Sequence, residues 1–305
     1  MSAEPIRFYH RTTKTTETEQ VFGEAWLRWT YESALGRLSL GLVKRAIVSR
    51  LYGWRMNRRY SAQHILPFIT KYNLDVDEFA KNAFSYRTFN EFFFRALKPG
   101  ARPIAGGDRI ATLPADGRHL AFQQLDAAAG FFVKGQRFDL AAFLGESHLP
   151  ADQRPLTAEF SDGSLLISRL CPVDYHRFHF PVTGLPDEAR LINGWLYSVS
   201  PIALRRNLGY LWENKRMLTL VDSPSFGRVL VAEIGATMVG SILQTYSPGK
   251  SVAKGQEKGL FRFGGSCVVT IFAPGRIRFD ADLLEQSARQ TEVYARMGER
   301  LGEAV

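Results

Sequence analysis

Apolar residues recur at helical spacing up to about residue 98 and at strand spacing after it. Between residues 33 and 60, intervals of three and four predict a helix with one apolar face, formed by Leu40, Val43, Ile47, Leu51 and Trp54. Residues 69–97 keep the helical spacing, which assigns these side chains to the core: Leu74, Phe79, Phe84, Phe89 and Phe93. Pro99 and Pro103 then end the helical part, because proline disfavours helix in the residue before it.

Short runs of β-branched and aromatic residues dominate the rest of the chain. They predict strands at residues 131–133, 165–167, 228–234, 268–272 and 276–279, with short helices at 139–144 and 201–208. Strands follow helices in blocks rather than in strict alternation, which predicts an α+β fold. We therefore divide the chain into a helical N-terminal segment, residues 1–98, and a β-rich domain, residues 99–305.

Basic residues are concentrated in the helical segment. Lys plus Arg number 39 against 30 for Asp plus Glu, and the net charge of +9 implies an anionic partner, nucleic acid or an acidic membrane surface. Residues 33–60 hold seven cations and no acid: Arg37, Lys44, Arg45, Arg50, Arg55, Arg58 and Arg59. With the apolar face, and with Phe22, Trp26, Trp29 and Tyr31 upstream, this pattern is typical of a helix lying in a membrane surface. The alternative is a two-helix cap packed on the chain's own core, with its basic residues merely solvated.

The N-terminal residues and the cysteine count limit the cellular setting. Residues 1–7 contain no apolar stretch, and no apolar run approaches the ~20 residues of a spanning helix, so we expect neither a signal peptide nor a membrane span. Two cysteines, Cys171 and Cys267, do not make a disulfide framework and fit a reducing compartment. They also leave too few ligands for zinc, so we expect no metal.

A Gly-Gly-Ser turn directly before an apolar strand is the first candidate for chemistry. Gly264 and Gly265 leave the backbone free to bend, and the hydroxyl of Ser266 follows at once. Such a turn can expose the Gly265 carbonyl to the Ser266 oxygen, as in a chain that cuts itself. An ordinary surface turn has the same composition.

Two histidines and an aspartate complete the candidate residues. His176 and His179 lie three residues apart among aromatic residues, where burial can bring a histidine into the range of general acid–base catalysis. Asp116, between Pro114 and Gly117, fits a carboxylate that orients a histidine. The same residues also fit two structural histidines and a turn aspartate that bonds its own backbone.

These segments together resemble the phosphatidylserine decarboxylase family. The resemblance is carried by a Pro-x-Asp-Gly loop, a Pro-x-Asp-Tyr-His-Arg-x-His segment and a Gly-Gly-Ser site, here Pro114-Ala115-Asp116-Gly117, Pro172-Val173-Asp174-Tyr175-His176-Arg177-Phe178-His179 and Gly264-Gly265-Ser266. The stretch 89–103 and the closing residues 296–302 recur in the same order, and the resemblance runs from about Val21 to the end. Cys267 stands where the family has threonine, which leaves the nucleophile in place.

The resemblance implies a self-processing enzyme with a pyruvoyl group. His179, oriented by Asp116, would remove the Ser266 proton, and the Ser266 oxygen would attack Gly265, cutting the chain between these two residues. Ser266 would become the pyruvoyl cofactor, which forms a Schiff base with phosphatidylserine, and His176 would return a proton after CO2 leaves. The mature enzyme would be a heterodimer of its two cleavage chains.

The resemblance also implies where and on what the enzyme acts. We expect phosphatidylserine as substrate, phosphatidylethanolamine as product, and peripheral association with an anionic membrane on the cytoplasmic side, without nucleic acid. Self-association into a homo-oligomer stays open. Two alternatives are a pyruvoyl-dependent decarboxylase of a soluble amino acid, and an unprocessed lipid- or nucleic-acid-binding protein on the same fold.

Overall fold

The structure, a computed structural model, describes residues 5–125, 136–237, 241–262 and 266–305. The helices in these residues are α1 (Glu24–Glu32), α2 (Ala34–Val43), α3 (Ala46–Met56), α4 (Ile65–Tyr72), α5 (Phe89–Phe93), α6 (Leu140–Leu144), α7 (Pro155–Phe160), α8 (Pro201–Leu204), α9 (Tyr210–Glu213) and α10 (Ala281–Ala288). The strands are β1 (Arg7–His10), β2 (Thr15–Thr18), β3 (Ile110–Thr112), β4 (Gly117–Phe122), β5 (Ser164–Leu170), β6 (Arg177–His179), β7 (Leu185–Pro186), β8 (Arg190–Ile192), β9 (Arg216–Ser223), β10 (Gly227–Ile234), β11 (Ile242–Gln244), β12 (Glu257–Phe261), β13 (Ser266–Phe272), β14 (Ile277–Phe279), β15 (Glu292–Ala295) and β16 (Arg300–Ala304). The fold is α+β, as the blocks of helical and strand periodicity predict.

One large sheet organises the molecule. It contains ten of the described strands in the order β2-β1-β15-β4-β5-β13-β10-β9-β7, with β8 also pairing to β9. Its strands are antiparallel except for the parallel pair of β1 and β15. Two smaller sheets, β11-β12-β6 and β14-β16-β3, complete the β structure of the described residues.

The central strands are buried because both faces of the large sheet are covered. Alternate residues of β13 enter different apolar clusters, with Val268 and Phe272 on one face and Val269 and Ile271 on the other. The first cluster packs against the two small sheets, and the second against helices α6 to α9. Because both faces of these strands are buried, their sequences are continuous runs of apolar residues.

Most strands expected from the sequence are confirmed. Residues 165–167, 228–234 and 268–272 lie in β5, β10 and β13, and 276–279 contains β14. The run at 131–133 lies outside the described residues. Helix α6 confirms the prediction at 139–144, whereas the helix expected at 201–208 is the single turn α8, ending at Leu204.

The segment predicted to be helical begins with two strands. Residues 7–18 form β1 and β2, and β1 pairs with β15, nearly three hundred residues away in the chain. Four residues with one buried phenylalanine, Phe8, give too short a pattern for a strand to be recognised locally. Long-range pairing with β15 fixes this segment to the β-rich part of the chain.

The helix predicted between residues 33 and 60 is in fact two helices. Arg45 has extended dihedrals (φ −79°, ψ 140°), which end α2 and start α3, so the predicted apolar face is not continuous. Leu40 and Val43 are half-buried, whereas the apolar side chains that are exposed on α2 and α3 are Leu35, Leu38, Leu42, Ile47, Leu51 and Trp54. Helix α1 instead packs on α8 through Tyr31. Within the described ranges, no helix is long and apolar enough to cross a membrane.

Residues 69–97 are only partly helical. Helix α4 ends where Asn73 adopts a left-handed conformation (φ 49°), and short turns replace the expected helix as far as α5. Phe79, Phe89 and Phe93 are buried in one aromatic cluster, as predicted, and Leu74 packs against it. Phe84 is 79% exposed, so its assignment to the core was wrong.

Candidate active site

Ser266 is the first residue of the central strand β13. It lies opposite Leu170, the last residue of β5, and it is completely buried. Its Oγ has no hydrogen-bond partner among the residues that the structure describes. Gly264 and Gly265, on which the predicted cleavage also depends, lie outside those residues. A buried hydroxyl without a partner is costly, by ~1–3 kcal/mol, and such groups are found where chemistry needs them.

Cys267 faces away from the side of the sheet that holds Ser266. Its side chain belongs to the cluster under the helices, whereas Val268 points to the other face with Ser266. Burial raises the pKa of the Cys267 thiol to about 12, so the thiol is protonated at neutral pH. Cys267 therefore does not compete with the Ser266 oxygen as a nucleophile.

The segment with both histidines leaves β5 directly beyond the register partner of Ser266. Within it, His179 lies in the extended strand β6, and its Nδ1 is 3.0 Å from the Gly255 carbonyl oxygen. Because a carbonyl only accepts, Nδ1 carries the proton in the neutral ring, and Nε2 accepts from the Tyr175 hydroxyl at 3.3 Å. The structure thus assigns the tautomer in which Nε2 is the basic atom.

Burial sets the protonation of His179. Desolvation lowers the pKa of His179, although the Gly255 carbonyl and the charges of Glu257 and Asp116 partly oppose it. A neutral imidazole at pH 7 is the form that a general base requires.

His176 lies in different surroundings from His179. Its Nδ1 is 2.9 Å from the Asp174 carbonyl oxygen, and its ring packs on Phe93 with 3.9 Å between ring centroids. The backbone N–H of Phe261, five residues before Ser266, donates to the His176 carbonyl oxygen at 3.0 Å. These contacts bring His176 to the chain that leads into β13.

Asp116 is buried in the loop between β3 and β4. Both its carboxylate oxygens accept hydrogen bonds from Arg102, the shortest at 2.6 Å, and Oδ1 also accepts from the Met297 N–H at 2.8 Å. The next residue must be glycine, since a Cβ at Gly117 would lie 2.4 Å from the Arg169 carbonyl oxygen. The loop is therefore held rigidly from three sides.

The predicted contact between Asp116 and His179 takes a different form from the one expected. No hydrogen bond joins the two side chains in the described residues, because the bonds of each go elsewhere. Their segments are neighbours, since the His179 N–H donates to the Pro114 carbonyl oxygen at 2.7 Å. Asp116 acts on His179 through its charge, which favours the protonated ring.

Buried ion pairs surround the start of the histidine segment. Arg118 donates to both oxygens of Asp174, and Arg169 pairs with Glu19 at 2.6 Å and with Glu292. Burial alone would raise the pKa of Glu19, but the charges of Arg169 and Arg118 and the hydrogen bonds from Arg169 and Cys171 together lower that pKa to about 2. Glu19 thereby ties the chain before α1 to β5.

An apolar cavity of about 260 Å³ adjoins the end of β5. Its wall includes Leu170, the register partner of Ser266, and Thr237. Phe22 and Trp26, which are also partly exposed at the surface, line it from the N-terminal segment. The cavity therefore extends from the neighbourhood of Ser266 to the helical part of the chain.

Several residues near the site were not singled out by the sequence analysis. Arg102 and Tyr175 stood inside the motifs that carried the resemblance but without roles of their own, and Phe93 was predicted only as a core residue. Lys258 is fully buried and pairs with Glu233, also fully buried, at 2.9 Å. Burial lowers the pKa of Lys258 and raises that of Glu233. The glutamate at position 233, inside the apolar strand β10, was a signal that could have indicated this pair.

Comparison with known proteins gives the family. A family model described as phosphatidylserine decarboxylase matches residues 89–303. The phosphatidylserine decarboxylase proenzyme of Chlamydia muridarum is 44% identical over 303 residues, 99% of this chain and 98% of the relative. Proenzymes with the same description from Chlamydia trachomatis serovar L2 and Clostridium kluyveri are 43% and 42% identical, cover 99% and 97% of this chain, and are each covered over 98% of their own length. The similarity thus begins before Val21, and the chain belongs to the phosphatidylserine decarboxylase family.

Proposed function

We propose that this chain is the proenzyme of a carboxy-lyase that converts phosphatidylserine into phosphatidylethanolamine and CO2, with a pyruvoyl group made from Ser266. The observation that carries the proposal is the buried Ser266 hydroxyl, which lacks a partner among the described residues and lies beside the histidine segment. The description of the relatives as proenzymes supports processing of the chain.

Self-cleavage is the first step of the proposal. His179 Nε2 takes the Ser266 proton, and the Ser266 oxygen attacks the Gly265 carbonyl, so that an ester replaces the peptide bond. β-Elimination releases the Gly265 carboxylate, and hydrolysis of the resulting dehydroalanine leaves the pyruvoyl group and ammonia. The neutral tautomer of His179 supports this role, and the Asp116 charge stabilises the imidazolium that forms.

Decarboxylation follows in the cut protein. A pyruvoyl group supplies a carbonyl that binds the substrate amine and accepts the electron pair left when CO2 departs. We assign to His176 the return of a proton to the substrate carbon. The support for this assignment is its place beside the chain that precedes Ser266 and the packing of its ring on Phe93.

The surroundings of the site favour a lipid over a soluble amino acid as substrate. The cavity beside Leu170 is lined mainly by apolar side chains, including Phe22 and Trp26. A free amino acid would offer nothing to cover these side chains, whereas a phospholipid has apolar chains that would. An unprocessed binding protein is disfavoured because it would have no use for the buried Ser266 hydroxyl.

We also propose that α2 and α3 lie on an anionic membrane surface on the cytoplasmic side. Support comes from their exposed apolar side chains and from six exposed arginines between residues 33 and 60, namely Arg37, Arg45, Arg50, Arg55, Arg58 and Arg59. The division at residues 98 and 99 and a homo-oligomeric state stay predictions.

One intact-mass spectrum tests the proposal. The purified protein should consist of two chains, residues 1–265 and the 40-residue piece 266–305 with a pyruvoyl N-terminus. Ser266→Ala should stay at full length, because alanine has no nucleophilic oxygen. A wild-type chain that keeps its full mass through long incubation at neutral pH would contradict the proposal. A second assay distinguishes a lipid substrate from a soluble one. The cut protein should release CO2 from phosphatidylserine but not from free serine.

A further inference from the structure

A polar groove of about 470 Å³ separates helix α3 from the chain that leads into β13. Three cations line it, Arg50 from α3, Lys215 before β9, and Arg262 directly after β12. Asn57, Asn90 and Asn193 add amide groups, and no aspartate or glutamate belongs to its described lining. The groove therefore offers hydrogen-bond donors and positive charge, with no acidic residue in the lining that the structure describes.

Two of these cations lack the partners that the other arginines near the site have. The Arg50 and Arg262 side chains are exposed and make no hydrogen bond or ion pair in the described part of the chain. By contrast, Arg102, Arg118 and Arg169 each pair with a buried carboxylate. Two guanidinium groups in one groove without an acid are suited to a shared anion, and their planar donor pattern fits phosphate.

The groove adjoins the reacting residues. Arg262 follows Phe261, whose N–H bonds the His176 carbonyl oxygen, and precedes Ser266 by four residues. Asn90 lies on α5 one turn before Phe93, whose ring packs on His176.

The groove also adjoins the apolar cavity. Leu196 lines the groove, and its carbonyl oxygen accepts from the Thr237 hydroxyl at 2.7 Å, while Thr237 lines the cavity. A cationic groove and an apolar cavity thus share a wall close to Ser266. The substrate of the proposed function has the same two parts, a phosphate and apolar chains, on either side of its glycerol.

We propose that this groove binds the phosphate of the phospholipid headgroup, with Arg50 and Arg262 as its ligands. The inference rests on the proposed function. The phosphate takes no part in the reaction, so contacts to it can hold the serine part of the headgroup in place at the pyruvoyl group. The serine carboxylate, which leaves as CO2, then needs no cation to position it. Free phosphate has the same chemistry and would compete for the groove.

The first test measures kinetics on a short-chain phosphatidylserine below its micelle concentration, so that membrane affinity does not enter. Arg50→Gln with Arg262→Gln should leave cleavage into two chains intact and raise KM by about tenfold or more, since charge-assisted bonds are lost. The control, Arg205→Gln with Arg289→Gln, removes the same charge from exposed positions outside the groove and outside residues 33–60, and it should leave KM within about twofold. An unchanged KM, or an equal rise in both pairs, overturns the proposal.

A second test uses direct binding and does not depend on maturation or activity. Inorganic phosphate and glycerophosphoserine are titrated into the uncut Ser266→Ala protein with and without the two groove substitutions. Both anions should bind the protein that keeps Arg50 and Arg262 and bind at least about tenfold more weakly without them. If phosphate binding falls but KM for the lipid does not, the groove is a site for free anions, and the headgroup proposal is wrong. A wild-type protein that binds glycerophosphoserine through these arginines yet releases no CO2 would instead contradict the proposed function.

Discussion

Arg102 donates hydrogen bonds from Nε and Nη2 to the two carboxylate oxygens of Asp116, at 2.6 to 3.0 Å. The carboxylate that the sequence assigned to His179 is thus bound by an arginine instead. Although burial lowers the pKa of the guanidinium, its bonds to Asp116 raise that pKa above the usual arginine value, so the guanidinium stays charged at any working pH. Asp116 therefore lies near His179 without being its hydrogen-bond partner.

We expect Asp116→Asn to slow self-cleavage by about 10²-fold while the protein still folds. The amide keeps the shape and the Met297 contact but loses the charge that stabilises the imidazolium of His179. Cleavage is measured by intact mass over time, and folding by circular dichroism. Cleavage at the wild-type rate would leave Asp116 as only a structural partner of Arg102.

Glu78→Gln provides the matched control for this change. Glu78 is the other carboxylate bonded to Arg102, at 2.9 Å, so its loss disturbs the same arginine without removing the Asp116 charge. Cleavage should then stay within about threefold of wild type, because Asp116 keeps its charge and its own bonds to Arg102.

Substitution of His179 and substitution of His176 should give two different phenotypes. His179→Ala should block or slow cleavage by about 10²- to 10⁴-fold, the range of a general base. His176→Ala should be cut but should release CO2 slowly, because the proposed function gives the removal of the Ser266 proton to His179 and the return of a proton to the substrate carbon to His176. Mass spectrometry gives the first result and an assay for CO2 the second. An uncut His176→Ala together with a normally matured His179→Ala would exchange the roles.

The pH dependence of cleavage should report the environment of His179. Burial lowers the pKa of this imidazole, so the neutral base persists below the usual value of about 6.5 and the cleavage rate should stay level through pH 6.5. The rate should fall only at more acidic pH, where the folded protein takes up the proton. A half-maximal rate at or above pH 6.5 would contradict this environment.

The same group contributes to the pH dependence of folding. Just below pH 6.5 the unfolded chain binds a proton at His179 that the folded chain does not, so the free energy of unfolding rises with pH in that window. His179→Gln, which does not titrate, should flatten this rise. Thermal unfolding between pH 5 and 7 measures this pH dependence. Both proteins, with His179 and with His179→Gln, carry Ser266→Ala so that neither is cut.

How much the sequence could predict depended on the length of each pattern. Strands β5, β10 and β13 each have seven buried or half-buried residues, so their composition identifies them. Strand β1 has four residues and is fixed by pairing with β15, which no local pattern contains. The break at Arg45 follows from backbone dihedrals that the apolar spacing does not encode.

The candidate site shows the same limit. The motifs gave the residue types Ser266, His179 and Asp116 and predicted that they act together. The motifs could not predict the hydrogen-bond partners of these residues. Asp116 bonds Arg102 and His179 bonds Gly255, and both contacts join separate segments of the chain. The groove lined by Arg50 and Arg262 depends in turn on the packing of α3 near β12, which joins residues more than two hundred positions apart.

Binding to phosphatidylserine vesicles should depend on residues 33–60 through two separable contributions. Neutralising Arg55, Arg58 and Arg59 to glutamine should weaken binding at low salt by up to ~3 kcal/mol, at ~1 kcal/mol for each cation at the surface. Vesicle sedimentation at low and high salt measures the effect, which should shrink as salt rises. Arg205, Arg206 and Arg289 are exposed cations elsewhere, so their triple change to glutamine is the control.

The apolar contribution should not respond to salt. Leu38 and Leu42 are 78% and 62% exposed on α2, and replacing both with serine should weaken binding at every salt concentration, because apolar burial in the lipid is not screened. Phe84, 79% exposed but outside the segment, is the matched control, and Phe84→Ser should bind like wild type. Self-cleavage should be normal in all these variants, since none of the changed residues lies near Ser266. Equal binding of all variants to neutral and anionic vesicles would make α2 and α3 a structural cap and move the lipid contact to the β-rich part of the chain.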